Sequence, residues 1–376
     1  MHFVKHLSIN LNYILYKTVI KRIIFLFNSE LMHDFLTVYG ELLGKIKPFR
    51  VITGKLLRYK NKSLEQEISK IHFENPVGLA AGFDYQARLF KILPSLGFGF
   101  GTIGTITNKP YKGNPKPRLG RLVKSKSLLV NKGFKNQGID KILQKLRKNK
   151  FEFPVGLSLG KTNSTKAMTQ LEAVEDIIQA FKKAEKSKIP FSYYELNISC
   201  PNLYGNVSFY PPKNLKELLT KVTELKLKKP LFIKMPIEKS NEETLGMLKV
   251  ISALPVTGVI LGNLQKDKKE PSLKKEEVQK YKMGYFSGKP TEKRSNELIR
   301  LAYKNYGNKL VIIGCGGVFN GKDAYKKIRL GASLIQFITG LVFEGPQTAA
   351  KINLELASLL QKDGFTNISQ AVGIDA

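Results

Sequence analysis

Eight short apolar runs, separated by longer amphipathic stretches, constrain this chain more than any other feature. The runs are Val77–Ala81, Gly101–Thr107, Val155–Gly160, Tyr193–Ser199, Leu231–Met235, Gly258–Gly262, Leu310–Gly314 and Leu334–Thr339. Between most of them lie helical patterns, such as Ala167–Lys186, Asn214–Leu227 and Glu242–Leu254. Short apolar runs bounded by turn residues read as buried strands. Their alternation with helices over roughly 270 residues predicts an α/β protein, a (β/α)8 barrel. A doubly wound open sheet is the alternative, but it should carry a dinucleotide fingerprint after its first strand. Gly78-Leu-Ala-Ala-Gly82 does not supply one. The insertion Lys109–Lys135, rich in Pro, Gly and basic residues, is expected to form an extended flap over the barrel mouth.

The segment before the first strand has a different character. Leu11, Leu15, Val19, Ile23 and Phe27 repeat at four-residue spacing, interrupted by Lys17, Lys21 and Arg22. The charges make it a poor transmembrane span and a good basic amphipathic helix, suited to an anionic membrane surface or to packing on its own protein. No acidic residue precedes Glu30. A second helix is expected over Ser29–Leu43, then a basic connector over Lys45–Lys62 containing Pro48 and Gly54. The expected division is therefore 1–65, a helical extension, and 66–376, the barrel.

Side-chain inventory narrows the chemistry. All four histidines (His2, His6, His33, His72) lie in the first fifth of the chain. The remaining three hundred or so residues have none, so a histidine base, a Ser-His-Asp triad or His-ligated zinc contained within them is excluded, and no metal site is expected. Two cysteines far apart, Cys200 and Cys315, give no disulfide framework. A net charge of +32 implies an acidic partner, but the lysines are spread along the chain rather than gathered in a nucleic-acid stripe, and no nucleic acid is expected.

In a barrel the chemistry sits at the carboxyl ends of the strands. Here those ends read Ala81-Gly82, Thr105, Ser158, Asn197, Lys234, Gly262-Asn263, Gly314-Cys-Gly-Gly317 and Thr339-Gly340. Glycine turns after strands seven and eight suit phosphate binding by backbone N–H groups. Lys234 interrupts an apolar run, and a buried lysine needs an anion or an electron-rich group. Asn197-Ile-Ser-Cys-Pro-Asn202 brings two amides and a thiol to one strand end. Amides that donate and accept suit a ligand with alternating N–H and C=O groups. The combination suggests a phosphorylated redox cofactor with a small polar substrate.

Longer motifs make the resemblance specific. Asn75-Pro-Val-Gly-Leu-Ala-Ala-Gly-Phe-Asp84, Leu96-Gly-Phe-Gly99, Ile103-Gly-Thr105, Gly113-Asn-Pro-Lys-Pro-Arg118, Asn197–Asn202, Ser287-Gly-Lys-Pro290 and Gly314–Gly317 resemble the dihydroorotate dehydrogenases over about residues 30–350. The leading segment with Glu30-Leu-Met-His33 looks like the quinone-dependent, membrane-associated class, in which it forms a two-helix lid. The resemblance implies FMN, dihydroorotate oxidised to orotate in pyrimidine biosynthesis, electrons passed to quinone, and peripheral attachment at the cytoplasmic face of a bacterial membrane. It assigns Asn131, Lys132, Gly133, Phe134, Asn197, Asn202 and Asn263 to substrate. Ala81, Gly82, Tyr85, Thr105, Ser158, Asn197, Lys234, Gly262, Gly288, Gly317, Ile338 and Thr339 would line FMN, and His33 and Arg121 the quinone tunnel. Cys200 stands where the family places its base, which takes the C5 proton while C6 passes hydride to the flavin.

Several positions depart from that pattern. Cys200 is the base of the soluble class, where quinone-dependent members carry Ser. Tyr85 follows Asp84 where the family has Lys, so Lys132 or Lys135 would have to restore a cation and would also lower the Cys200 pKa. The Asn131 loop is one residue shorter, Gly262 and Leu264 replace hydroxyl residues, and Ile338 replaces a tyrosine. Three other readings stay open: a fumarate- or NAD-linked member, an FMN-dependent tRNA dihydrouridine synthase, and an inactive basic membrane-binding protein.

Overall fold

The protein is described here from a computed structural model, which covers residues 2–166, 168–205 and 207–376, with side chains from residue 5 onward. Eight parallel strands close into a barrel. They are β1 (Val77–Asp84), β2 (Phe100–Thr107), β3 (Val155–Gly160), β4 (Tyr193–Asn197), β5 (Leu231–Met235), β6 (Gly258–Leu261), β7 (Val311–Cys315) and β8 (Leu334–Phe337). Closure comes from β8 pairing with β1, Ile335 opposite Val77 and Phe337 opposite Leu79. Each strand matches one apolar run of the sequence to within a few residues. Both faces are covered, one by the barrel interior and one by helices, which is why the runs lack polar alternation.

The helical expectations hold with trimmed ends: Gln170–Lys186, Pro212–Glu224 and Asn241–Ser252. Ala167, the expected start of the first, lies outside the described residues. Two of these helices begin with a capping box, Thr169 with Glu172 and Ser240 with Glu243. Phe73 of a small hairpin packs with Phe100, Tyr193 and Phe232 near the strand starts, closing the amino-terminal end of the barrel. The opposite end is open. The Lys109–Lys135 insertion does cover it, as two antiparallel strands, Leu119–Leu122 and Ser127–Val130, joined by a third, Tyr285–Gly288.

Four helices precede the barrel: α1 (His2–Leu15), running through a π-helical turn into α2 (Lys21–Leu26), then α3 (Ser29–Lys45) and α4 (Lys47–Leu57). Asn28 starts α3 by accepting from the N–H groups of Glu30 and Leu31. α4 corrects the expected basic connector. Pro48 lies in its first turn, where its missing N–H costs no helical hydrogen bond. Gly54 is simply carried in the helix interior. Ile9 and Tyr16 are buried, and the Tyr16 hydroxyl donates to the Val342 carbonyl at 2.7 Å, so the segment is docked on the barrel. Its outer face is apolar. Twenty of the twenty-four exposed large apolar side chains among the described residues fall between Leu7 and Leu56.

Candidate active site

A cavity of about 630 Å³ begins among α1–α4 and ends at the carboxyl ends of the strands. At its inner end β4 delivers Asn197, whose amide nitrogen donates to Thr105 Oγ1 at 2.8 Å. Asn197 Oδ1 accepts from Ser199 N at 3.1 Å and Oγ at 2.9 Å, and Asn263 Nδ2 reaches the same Ser199 hydroxyl. Asn202 Nδ2 donates to the Val130 carbonyl of the flap at 3.0 Å. Three asparagines from two strand ends and the following loop therefore line one wall with Cys200.

Behind that wall lies an amide layer that sequence reading missed. Asn114 Nδ2 donates to Asn131 Oδ1 at 3.0 Å and to the Asn202 carbonyl at 2.9 Å, while Asn163 Nδ2 donates to Asn114 Oδ1 at 3.1 Å. Asn114 was visible in the Gly113–Arg118 motif, but nothing marked Asn163 as its partner. Asn131 itself stands in this back layer, not on the cavity surface. Ser158 is likewise withdrawn, 3.1 Å from Thr105 Oγ1. The remaining expected residues all reach the cavity: Ala81, Gly82, Tyr85, Thr105, Lys132, Gly133, Phe134, Lys234, Gly262, Gly288, Gly317, Ile338, Thr339, His33 and Arg121.

Two lysines in this cavity are buried with no carboxylate in hydrogen-bonding reach, although Glu195 acts on Lys234, and Asp34 and Glu30 on Lys132, through space. Lys234, at the end of β5, is 4% exposed, and no hydrogen bond or ion pair joins it to another described residue. Lys132 is 7% exposed, and its one side-chain hydrogen bond is to the Tyr85 hydroxyl at 3.2 Å. Carboxylates that act only at a distance leave much of the cost of burying these charges in place, so both positions fit a chain that binds electron-rich or anionic groups here. The N–H groups of Gly316 and Gly317 donate to no described backbone carbonyl, leaving donors for a phosphate at the turn after β7. Gly262 has φ +145°, and a Cβ there would overlap the Cys315 carbonyl, so a hydroxyl residue at this site is excluded by backbone contact. A flavin mononucleotide is matched in kind: backbone donors for phosphate, an unpaired cation for the ring.

The thiol departs from expectation. Cys200 opens onto the cavity, yet burial pushes its pKa up to about 12, against opposing pulls from the Asn202 N–H, Lys234, Lys161 and Lys266. Lys132 and Lys135 are not among the cations that act on it. Lys135 pairs with Glu30 at 2.9 Å and Asp34 at 3.5 Å, and Lys132 sits over the Tyr85 ring, 4.3 Å from its centroid. The expected lowering of the thiol by these two lysines is therefore corrected: both face α3.

At the outer end, His33 Nε2 lies 2.9 Å from the Phe83 carbonyl and its ring stacks on Tyr85 at 5.4 Å. Burial and Lys132 pull the His33 pKa down to about 4, against Asp34, whose Oδ1 lies 3.3 Å from Nδ1, and the Phe83 carbonyl, which favour the protonated ring. Arg121 donates to the Phe27 carbonyl at 2.8 Å and its guanidinium lies 4.6 Å from the Phe25 ring centroid, closing α2 onto the flap. Among the described residues no cluster of ligating side chains suits a metal.

Residues 63–360 match the family model described as dihydroorotate dehydrogenase. The chain belongs to the dihydroorotate dehydrogenase family. A relative from Trichodesmium erythraeum, named dihydroorotate dehydrogenase (quinone), is 35% identical over 341 residues, 88% of each chain. One of the same name from Christiangramia forsetii is 34% identical, over 91% of this chain and 98% of its own. A solved dihydroorotate dehydrogenase from Eimeria tenella, in complex with ferulenol, superimposes with a TM-score of 0.79 at 28% identity, covering 92% of this chain and 95% of that one.

Proposed function

We propose that this protein oxidises dihydroorotate to orotate in pyrimidine biosynthesis, with FMN as cofactor and a membrane quinone as electron acceptor. The observation that carries the reading is the continuous cavity. It joins an amide-and-thiol wall at the strand ends to an apolar passage under α1–α4 that begins at the exposed apolar face. A water-soluble acceptor such as fumarate or NAD has no need of such a passage. The relatives named for quinone support the same choice.

FMN bound at the strand ends would accept the equivalent of hydride from substrate and relay two electrons. Gly288, Gly317 and Thr339 would hold its phosphate side, and Ala81, Gly82, Thr105, Lys234, Gly262 and Ile338 its ring, with Ser158 fixing Thr105. Asn197, Asn202 and Asn263 would hold the pyrimidine ring by matched donors and acceptors, with Asn131 and Asn114 fixing the loop behind them. Cys200 Sγ would take the C5 proton. Residues 1–65 form the lid and attach to anionic lipid at the cytoplasmic face, and residues 66–376 form the FMN barrel. No described helix is long and apolar enough to cross a membrane, which agrees with attachment rather than spanning.

The test is an anaerobic titration of the purified yellow protein. Dihydroorotate should bleach the flavin, and a short-chain ubiquinone should restore the colour faster than fumarate or NAD. Bleaching followed by preferential reoxidation with fumarate or NAD would defeat the acceptor assignment. Absence of bleaching would defeat the substrate.

A further inference from the structure

The two buried lysines of the cavity face different groups. The cations acting on Cys200 are Lys234, Lys161 and Lys266. The groups facing Lys132 belong to the lid and flap: Tyr85 and His33 beside it, Asp34 and Glu30 on α3, Lys135 in its own loop, and Arg118 on the flap. Lys132, assigned by resemblance to the substrate, therefore faces the lid through Tyr85, which stacks on His33 of the expected quinone tunnel. Its ammonium has three N–H groups and gives one to the Tyr85 hydroxyl, which in turn donates to Asp34 Oδ1 at 3.0 Å. Asp34 is 44% exposed, so this chain of hydrogen bonds runs from the cavity wall to solvent.

Balance requires such a group. Dihydroorotate loses two electrons and two protons, and quinone gains the same. One of those protons leaves substrate at Cys200, on the strand-end wall, and does not travel with the electrons. The acceptor end must take up one proton from water in each turnover. Both ring nitrogens of His33 are engaged there, Nε2 with the Phe83 carbonyl at 2.9 Å and Nδ1 with Asp34 Oδ1 at 3.3 Å, and Lys135 is paired with Glu30.

We propose that Lys132 Nζ is the proton donor to the quinone oxygen, presented by Tyr85 and kept in contact with solvent by Asp34. An N–H bond of the ammonium breaks as the O–H bond of the quinol forms, and the amine regains a proton from water that enters beside the half-exposed Asp34, whose carboxylate stays ionised and holds the Tyr85 hydroxyl. Burial lowers the Lys132 pKa to about 7, opposed by Asp34 and Glu30 and aided by Lys135 and Arg118, which suits a group that must give and regain a proton near neutrality. Tyr85, which stands where the family has a lysine, thereby acquires a purpose: it positions a lysine from another loop.

This inference rests on the quinone reading, and the experiment separates the two. Steady-state turnover of the FMN-loaded full chain is measured with dihydroorotate and either a short-chain ubiquinone or ferricyanide, which takes electrons without protons. The readout is the ratio of the two rates. Lys132→Met should lower it about 100-fold. Lys132→Arg keeps the charge but does not release a proton, and should lower it as far. In the wild type the ratio should fall as pH rises through neutrality, and this dependence should vanish in the Arg variant. Independently of turnover, the Lys132 signal in protein carrying 13C-labelled lysine should titrate well below the ordinary lysine range, and lower still in Asp34→Asn. A Lys132→Arg protein with the wild-type ratio would overturn the proposal, as would a Lys132 signal titrating near 10. Wild-type protein that reduces ferricyanide but not ubiquinone would instead defeat the quinone reading itself.

Discussion

Cys200 shows how burial and charge compete at a single atom. The thiol faces lysines, yet desolvation wins and holds it near 12. A thiol with a raised pKa is protonated throughout the physiological range, so the base form is a small fraction that grows with pH. We expect flavin reduction by dihydroorotate to climb about tenfold per pH unit from neutrality, without levelling before about pH 9. Stopped-flow bleaching across that range tests this, and a plateau near pH 8 would mean that the occupied site releases the proton more easily. Cys200→Ala should slow the bleaching by about two orders of magnitude or more. The sequence revealed the cysteine and its place at a strand end. It did not reveal the balance, because Lys132 and Lys135 are neighbours along the chain but face α3, while Lys161 and Lys266 come from distant loops.

At the scale of elements, the barrel was legible because each strand is buried on both faces and reads as an uninterrupted apolar run. α4 was not, since Pro48 and Gly54 look like breakers until Pro48 is seen in the first turn. The amide layer behind the site was half legible: Asn114 lies in a motif, whereas Asn163 becomes its partner only when β3 and the flap are brought together. Exposure also separates two roles within the leading helices. Ile9 and Tyr16 are docked, but Leu26 is 83% and Leu31 66% exposed. Leu26→Glu with Leu31→Glu should leave stability within about 0.5 kcal/mol while releasing the protein from anionic vesicles. Co-sedimentation and a thermal melt measure the two quantities. Unchanged sedimentation would move membrane attachment away from this face.

On the scale of the whole molecule, a charge of +32 acts together with that apolar face. Lys21, Arg22, Lys45, Lys47 and Lys55 accompany it, so attachment should combine insertion with attraction. Vesicle binding should weaken severalfold between about 0.05 and 0.5 M salt, yet not vanish. Complete loss would leave the apolar face no share in it, and no loss would leave the lysines none. Gathering twenty of the twenty-four exposed large apolar side chains of the described residues on the leading helices has a further physical result. The molecule has a head and a tail in the sense of a detergent, and any boundary between water and a non-aqueous phase will orient it. Attachment through that face would fix the barrel axis relative to the bilayer before a quinone is ever met, and diffusion of that quinone would reduce to a search in two dimensions.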